Sequence, residues 1–196
     1  MARIWFVVRE TAAAAVALVP VCCLLHLFVF RSWRKSLPYG LFALYLAAVW
    51  ALVGLPNAYY VRFGCNLNLI PLAGILGDLK NAVLNVALFV PLGVFLPLLW
   101  RDLRRLGPAV FFGFCTSLAI ELLQLFTLRA TDVNDLITNT LGTCLGILIA
   151  GGLGRRFPGL VGNGTKKERT FLLTAVAAVM FFAYPFLSDW AWKLTQ

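Results

Sequence analysis

Residues 108–153 read PAVFFGFCTSLAIELLQLFTLRATDVNDLITNTLGTCLGILIAGGL. An apolar run of bilayer length stands at each end of this stretch. Between them come Glu121, Gln124, Arg129, Asp132, Asp135 and Asn139. Crossing hydrocarbon takes about 20 predominantly apolar residues as a helix. The stretch therefore reads as two membrane helices joined by a short polar connection. A charged residue at the bilayer centre costs about 2.5–3.5 kcal/mol on insertion scales. Acids and amides kept beside such helices mark the place to look for function.

The rest of the chain reads the same way. Of its 196 residues 61% are hydrophobic and 13% charged, with a mean hydropathy of +0.87; a soluble domain is roughly 45–50% apolar and about 25% charged. The fold class is an all-α polytopic membrane bundle of about six helices, at roughly 11–30, 39–55, 80–100, 108–128, 134–153 and 170–188. The length corresponds to a single membrane domain, 1–196. Arg3 and Arg9 precede an Ala-rich run, as in a signal peptide, but that run continues to Phe30 and meets a basic cluster, so a retained helix is expected. Segment 56–80 is apolar yet broken by Pro56, Gly64, Pro71 and Gly74, which points to an interfacial or re-entrant stretch.

The formal charge is +9. Its basic residues cluster at the ends of apolar runs: Arg31, Arg34 and Lys35; Arg101, Arg104 and Arg105; Arg155 and Arg156; Lys166, Lys167 and Arg169. These are topology anchors and contacts for anionic headgroups, and no nucleic-acid partner is expected. Eleven of the 17 lysines and arginines fall in 31–38, 101–107 and 154–169, which places those loops inside and both termini outside. Trp190 and Trp192 then belong to the outer interfacial belt, Trp33 and Trp100 to the inner one. The five cysteines lack metal-ligand spacing, and the single histidine, His26, sits among Leu and Phe as a packed or interfacial residue. No metal and no cofactor is expected.

With the fourth helix taken to Leu128, Glu121 lies about seven residues from its end, roughly 10 Å deep at 1.5 Å per residue. Asn85 and Asn139 reach a similar depth on the third and fifth helices. Ser117, Glu121 and Gln124 share one helix face, as do Asp78, Asn81 and Asn85, and again Asp132, Asp135 and Asn139. The last two sets have identical spacing on helices running the same way, as a degenerate repeat would. Gly142 and Gly146 form a GxxxG pair that lets a neighbouring helix approach closely, so the fifth helix should face the third and fourth. The same topology brings Leu67–Pro71 and the Arg129–Asp135 connection to one side. A carboxyl group at the depth of Glu121 has to be protonated, paired or hydrated.

The pattern Asn85-x-x-x-Phe89-x-Pro91-x-Gly93, then Glu121-x-x-Gln124, then Arg129-x-x-Asp132-x-x-Asp135-x-x-x-Asn139-x-x-Gly142-x-x-x-Gly146 resembles the VanZ-like membrane proteins over about residues 66–150. The helices 11–30, 39–55 and 170–188 are peripheral to that core. The family usually has Gly before the Arg, where this chain has Leu128. The resemblance implies a bacterial cell-membrane protein of the envelope, in a family named for low-level teicoplanin resistance, and it implies no settled biochemical activity.

The reading that follows is a binding protein for a lipid-linked cell-wall intermediate or a lipoglycopeptide. Its outward-facing polar cavity would be formed by Asn81, Asn85, Glu121, Gln124, Arg129, Asp132, Asp135 and Asn139, with Gly93, Gly142 and Gly146 as helix-packing residues. The partners on this reading are that ligand and membrane lipids. The alternatives are a membrane enzyme modifying an envelope lipid, with Glu121 as acid or base and Asp132 with Asp135 holding a divalent cation, and a lipid transporter or flippase. The enzyme reading lacks a clear nucleophile or established catalytic motif.

Overall fold

Ser32, Asp78, Arg105 and Asp132 each stand at the N-cap of a long apolar helix, and these helices carry the architecture. The computed structural model describes residues 2–72 and 78–194. Among them are α1 (Ala2–Leu25), continued by a π-helical segment His26–Phe30; α2 (Trp33–Val53); α3 (Leu79–Leu99); α4 (Leu106–Gln124); α5 (Val133–Arg156); and α6 (Lys166–Ala178), which runs through a second π segment, Val179–Ala183, into α7 (Tyr184–Leu194). Among the described residues, six stretches are long and apolar enough to cross a membrane: Ala12–Phe30, Trp33–Val53, Leu79–Leu99, Leu106–Gln124, Val133–Arg156 and Lys166–Lys193. The protein is a multi-pass, all-α membrane protein. Gly74 lies outside the described residues.

The chain divides into two compact units, 1–61 with 166–196, and 62–165. In the first, α1 packs on α2 and on α7. Its core contains Ala14, Leu18, Phe42, Ala43, Ala47, Leu172 and Met180. Two buried acids in it are answered. Lys35 Nζ reaches Glu168 Oε1 at 2.6 Å, with Tyr39 Oη donating to Oε2 at 3.4 Å. Glu10 accepts from Tyr184 Oη, and from Ser188 Oγ at 2.7 Å. The helix α2 begins at Trp33, six residues before the sequence reading, because the helix continues through Pro38 instead of starting after it; membrane helices tolerate an internal proline where local adjustment satisfies the freed carbonyl.

The second unit is built on α5. It packs in parallel with α3 and antiparallel with α4. Glycines set the α3–α5 distance. A Cβ on Gly142 would stand 2.3 Å from Val86 O, one on Gly146 2.1 Å from Val90 O, and one on Gly93 2.1 Å from Thr143 O. The two backbones touch, which only small residues allow. On the other flank, a Cβ on Gly113 of α4 would meet Thr143 Oγ1 at 2.6 Å.

Trp100, at the C-terminal end of α3, is packed inside the protein, 0% exposed. The chain after α5 folds back over it, with Gly162 N donating to Leu98 O (2.7 Å), Gly164 N to Leu99 O (2.9 Å) and Arg104 Nη2 to Gly162 O (2.7 Å). Trp33, Trp190 and Trp192 are exposed.

Candidate functional site

The N-termini of α3 and α5 lie at the same end of the second unit, and each is capped by an aspartate. Asp78 Oδ1 accepts from Asn81 N at 3.4 Å, and Asp132 Oδ1 from Asn134 N at 2.8 Å. Aspartate is among the preferred N-cap residues and is favoured by the helix dipole. The matching triplets Asp78/Asn81/Asn85 and Asp132/Asp135/Asn139 are thus N-cap, third and seventh helical positions of two parallel helices. The shared spacing is that of two helix starts.

Between these starts, residues 62–68 run beside the connection that follows α4. Leu67–Asn68 (β1) pairs in parallel with Thr131–Asp132 (β2). Arg62 N donates to Phe126 O at 2.8 Å, Gly64 N to Leu125 O at 2.8 Å and Thr131 N to Asn66 O at 2.9 Å. The Leu67–Pro71 and Arg129–Asp135 segments therefore meet.

Side chains lock this junction. Glu121 Oε2 accepts from Asp132 N at 2.9 Å, while the Glu121 carbonyl accepts from Thr131 Oγ1 at 2.9 Å. Asp132 Oδ2 accepts from Asn68 Nδ2 at 3.0 Å. Asp135 Oδ1 accepts from Asn85 Nδ2 at 2.7 Å, tying α5 to α3. Asn134 Oδ1 accepts from Leu72 N at 2.6 Å. One turn deeper, Asn139 Nδ2 donates to Ser117 Oγ at 2.9 Å. Gly113–Thr143, Ser117–Asn139 and Glu121–Asp132 are thus successive rungs between α4 and α5.

Of the residues read from the sequence, Asn85, Glu121, Asp132, Asp135 and Asn139 come together here. Asn81 does not join them: it is exposed, and its amide donates to Asp78 Oδ2. Gln124 is buried at the end of α4, where its carbonyl accepts from Thr127 N (3.0 Å), Thr127 Oγ1 (3.1 Å) and Arg129 N (3.3 Å). Those donors stop α4 at Gln124, four residues before the expected end. Glu121 consequently lies in the last turn, about 4–5 Å from the helix end at 1.5 Å per residue and not at 10 Å. It meets the connection, and Ser117 takes the place opposite Asn139. Sequence reading does not single out Thr131 or Asn134; the N-cap rule applied to Asp132 was the available signal for Asn134.

Arg129 is the exception in this group. It is exposed, and its guanidinium makes no ion pair or hydrogen bond among the described residues. Its charge still attracts Glu121 and Asp135 across space. Buried Glu121 and half-buried Asp132 and Asp135 are held by amides and backbone N–H groups, and the cation is presented outward. Asn139 Oδ1, on a residue 4% exposed, has no hydrogen-bond partner among the described residues.

Leu128, just before Arg129, has φ 58°. That left-handed conformation costs a side-chain-bearing residue roughly 1–2 kcal/mol. Its side chain lies over Gly64, where a Cβ would come within 2.6 Å of Leu128 Cδ2. Leu128→Gly should therefore stabilise the protein by about 1 kcal/mol, and Gly64→Ala should destabilise it by less than that, because the overlap is with the end of a half-exposed leucine side chain that can turn aside. In the Leu128→Gly background Gly64→Ala should be neutral. Thermal unfolding of the four proteins in one detergent gives the coupling; additive effects would contradict it.

No solved structure matches this fold. The family model for VanZ/LLP1 matches residues 42–154, reaching from α2 through nearly all of α5. Protein VanZ of Enterococcus faecium is 35% identical over 123 residues, covering 60% of this chain and 75% of that protein. The motif residues, the glycine-packed α3–α5 pair and these matches lead to one conclusion: the chain belongs to the VanZ/LLP1 family.

Proposed function

We propose that this protein binds a lipid-linked cell-wall intermediate or a lipoglycopeptide at the Arg129 end of α3, α4 and α5, and that this end faces out of a bacterial cytoplasmic membrane. The observation that carries the reading is the division of charge at the site. Glu121, Asp132 and Asp135 are engaged in holding the junction, so Arg129 is the charge offered to a ligand. A guanidinium makes bidentate bonds to phosphate and is weakly hydrated, which suits a phosphorylated headgroup at a membrane surface. The exposed Leu69, Ile70 and Leu72 beside the junction give an apolar surface for the lipid portion. Glu121, Asp132 and Asn85 are positioning residues on this reading. A contribution to teicoplanin resistance would follow from capturing the drug or its lipid-linked target at the membrane.

Purified protein should bind a lipid-linked cell-wall precursor, and Arg129→Ala should weaken that binding at least tenfold, about 1.4 kcal/mol, without changing the unfolding temperature. Unchanged affinity in Arg129→Ala and in the Glu121→Gln/Arg129→Ala double variant would sink the reading. Orientation has its own test. In an otherwise cysteine-free protein, exposed Cys65 should react with a membrane-impermeant maleimide in intact cells. A cysteine placed at Asn163 should react only after permeabilisation. The reverse pattern would invert the topology.

A further inference from the structure

A groove of about 450 Å³ runs between the first span and α2, inside the unit formed by residues 1–61 and 166–196. We propose that it binds one anionic phospholipid, with an acyl chain along the groove and the headgroup phosphate between Arg31 and Arg34. The volume falls within the roughly 300–1,000 Å³ of small-molecule sites. Leu18 and Cys22 line one wall, Leu37 and Leu44 the other. On the α2 side stands Gly40, where a Cβ would have no heavy atom within 4 Å. A larger residue at this position would occupy the groove; glycine leaves it open.

The groove is polar at one end only. There His26 Nδ1 lies 2.6 Å from Ser36 Oγ, and the imidazole sits against Trp33 with ring centroids 4.2 Å apart. Beside this end the chain turns sharply. Arg31 adopts φ 50°, and its N–H closes the π segment on His26 O at 2.8 Å. A left-handed residue after a helix is ordinarily glycine. An arginine held there, next to a π segment, is the kind of strained element that clusters at binding sites. Arg31 and Arg34 are exposed and form no ion pair among the described residues, whereas neighbouring Lys35 is engaged by Glu168. Two unpaired guanidiniums, an exposed tryptophan and an apolar groove leading away from them match a phospholipid with net negative charge. Basic residues at a membrane surface attract such lipids, and an arginine pair gives the phosphate bidentate donors.

The test uses the full chain in nanodiscs of equal phosphatidylglycerol and phosphatidylcholine, with retained lipid read by native mass spectrometry. The native chain should retain phosphatidylglycerol at least threefold over phosphatidylcholine. Arg31→Gln/Arg34→Gln should abolish that preference, and Arg155→Gln/Arg156→Gln should leave it intact. Gly40→Phe should lower retention of both lipids at least threefold. A preference that survives Arg31→Gln/Arg34→Gln overturns the headgroup assignment. One that disappears equally in Arg155→Gln/Arg156→Gln shows general charge attraction and overturns the site. Retention unchanged in a folded Gly40→Phe protein overturns the groove. If Gly40→Phe does not accumulate, Gly40→Leu takes its place, and the exposed arginine pair decides the proposal by itself.

Discussion

Gly146→Val is expected to destabilise the protein by at least about 3 kcal/mol, at the upper end of overpacking effects. A Cβ at this position would stand 2.1 Å from Val90 O, 2.7 Å from Gly93 Cα and 2.8 Å from Val94 N. All three are backbone atoms of α3, so no side-chain rotation relieves the overlap, and the two helices would have to separate along the seam. Separation also pulls Gly142 from Val86 and Gly93 from Thr143, so the contact fails as a unit. Gly151→Ala and Gly152→Ala are the controls. Both glycines lie in α5 with open space where a Cβ would go, and each alanine should add roughly 0.5–1 kcal/mol by restricting the unfolded chain. Thermal unfolding followed by circular dichroism in one detergent ranks the variants. A Gly146→Val protein that unfolds with the native one would show that α3 and α5 do not approach this closely.

Asp132→Ala is expected to release the junction that carries Arg129, at a cost of about 2–4 kcal/mol. Asp132 has three engagements. Oδ1 caps α5 at Asn134 N (2.8 Å), Oδ2 holds Asn68 Nδ2 (3.0 Å), and its own N–H reaches Glu121 Oε2 (2.9 Å). Loss of the cap alone costs about 1 kcal/mol, and stranding the part-buried Asn68 amide adds about 1–3 kcal/mol. Asp132→Asn keeps an acceptor for the cap and turns a second donor toward Asn68, so its effect should be about half as large. Limited trypsin digestion reports the local consequence: cleavage after Arg129 should accelerate in Asp132→Ala well before the helices unfold. Cleavage at the native rate would mean that the β1–β2 pairing alone holds the connection. Gly146 sets how α3 and α5 pack, and Asp132 sets where Arg129 stands.

The spans were legible because crossing hydrocarbon imposes a length that composition alone reveals, and the α3–α5 seam because GxxxG has one common physical use. The end of α4 was hidden. Leu125, Phe126, Thr127 and Leu128 contain no glycine or proline to mark a stop, and the stop comes from donors converging on the Gln124 carbonyl. The start of α2 was obscured in the opposite way, by a proline that the helix accommodates. The parallel pairing of Leu67–Asn68 with Thr131–Asp132 has no local signature, since it joins two residues to two others more than sixty positions away. Polarity and spacing found Glu121, Asp132, Asp135, Asn85 and Asn139. They did not reveal which of these groups would answer one another, and so did not show that Arg129 would be left facing outward without an ion pair among the described residues.

The overlap between Leu128 and the space above Gly64 also bears on how such sequences diverge. A chain with glycine before the arginine relieves the left-handed backbone and empties that space, so a side chain becomes permissible at the position of Gly64. A chain with a large residue before the arginine favours glycine there, since any larger residue makes that side chain turn aside. The two positions should change together across the family, with Leu128 and Gly64 recording one of two exchangeable solutions to the same turn.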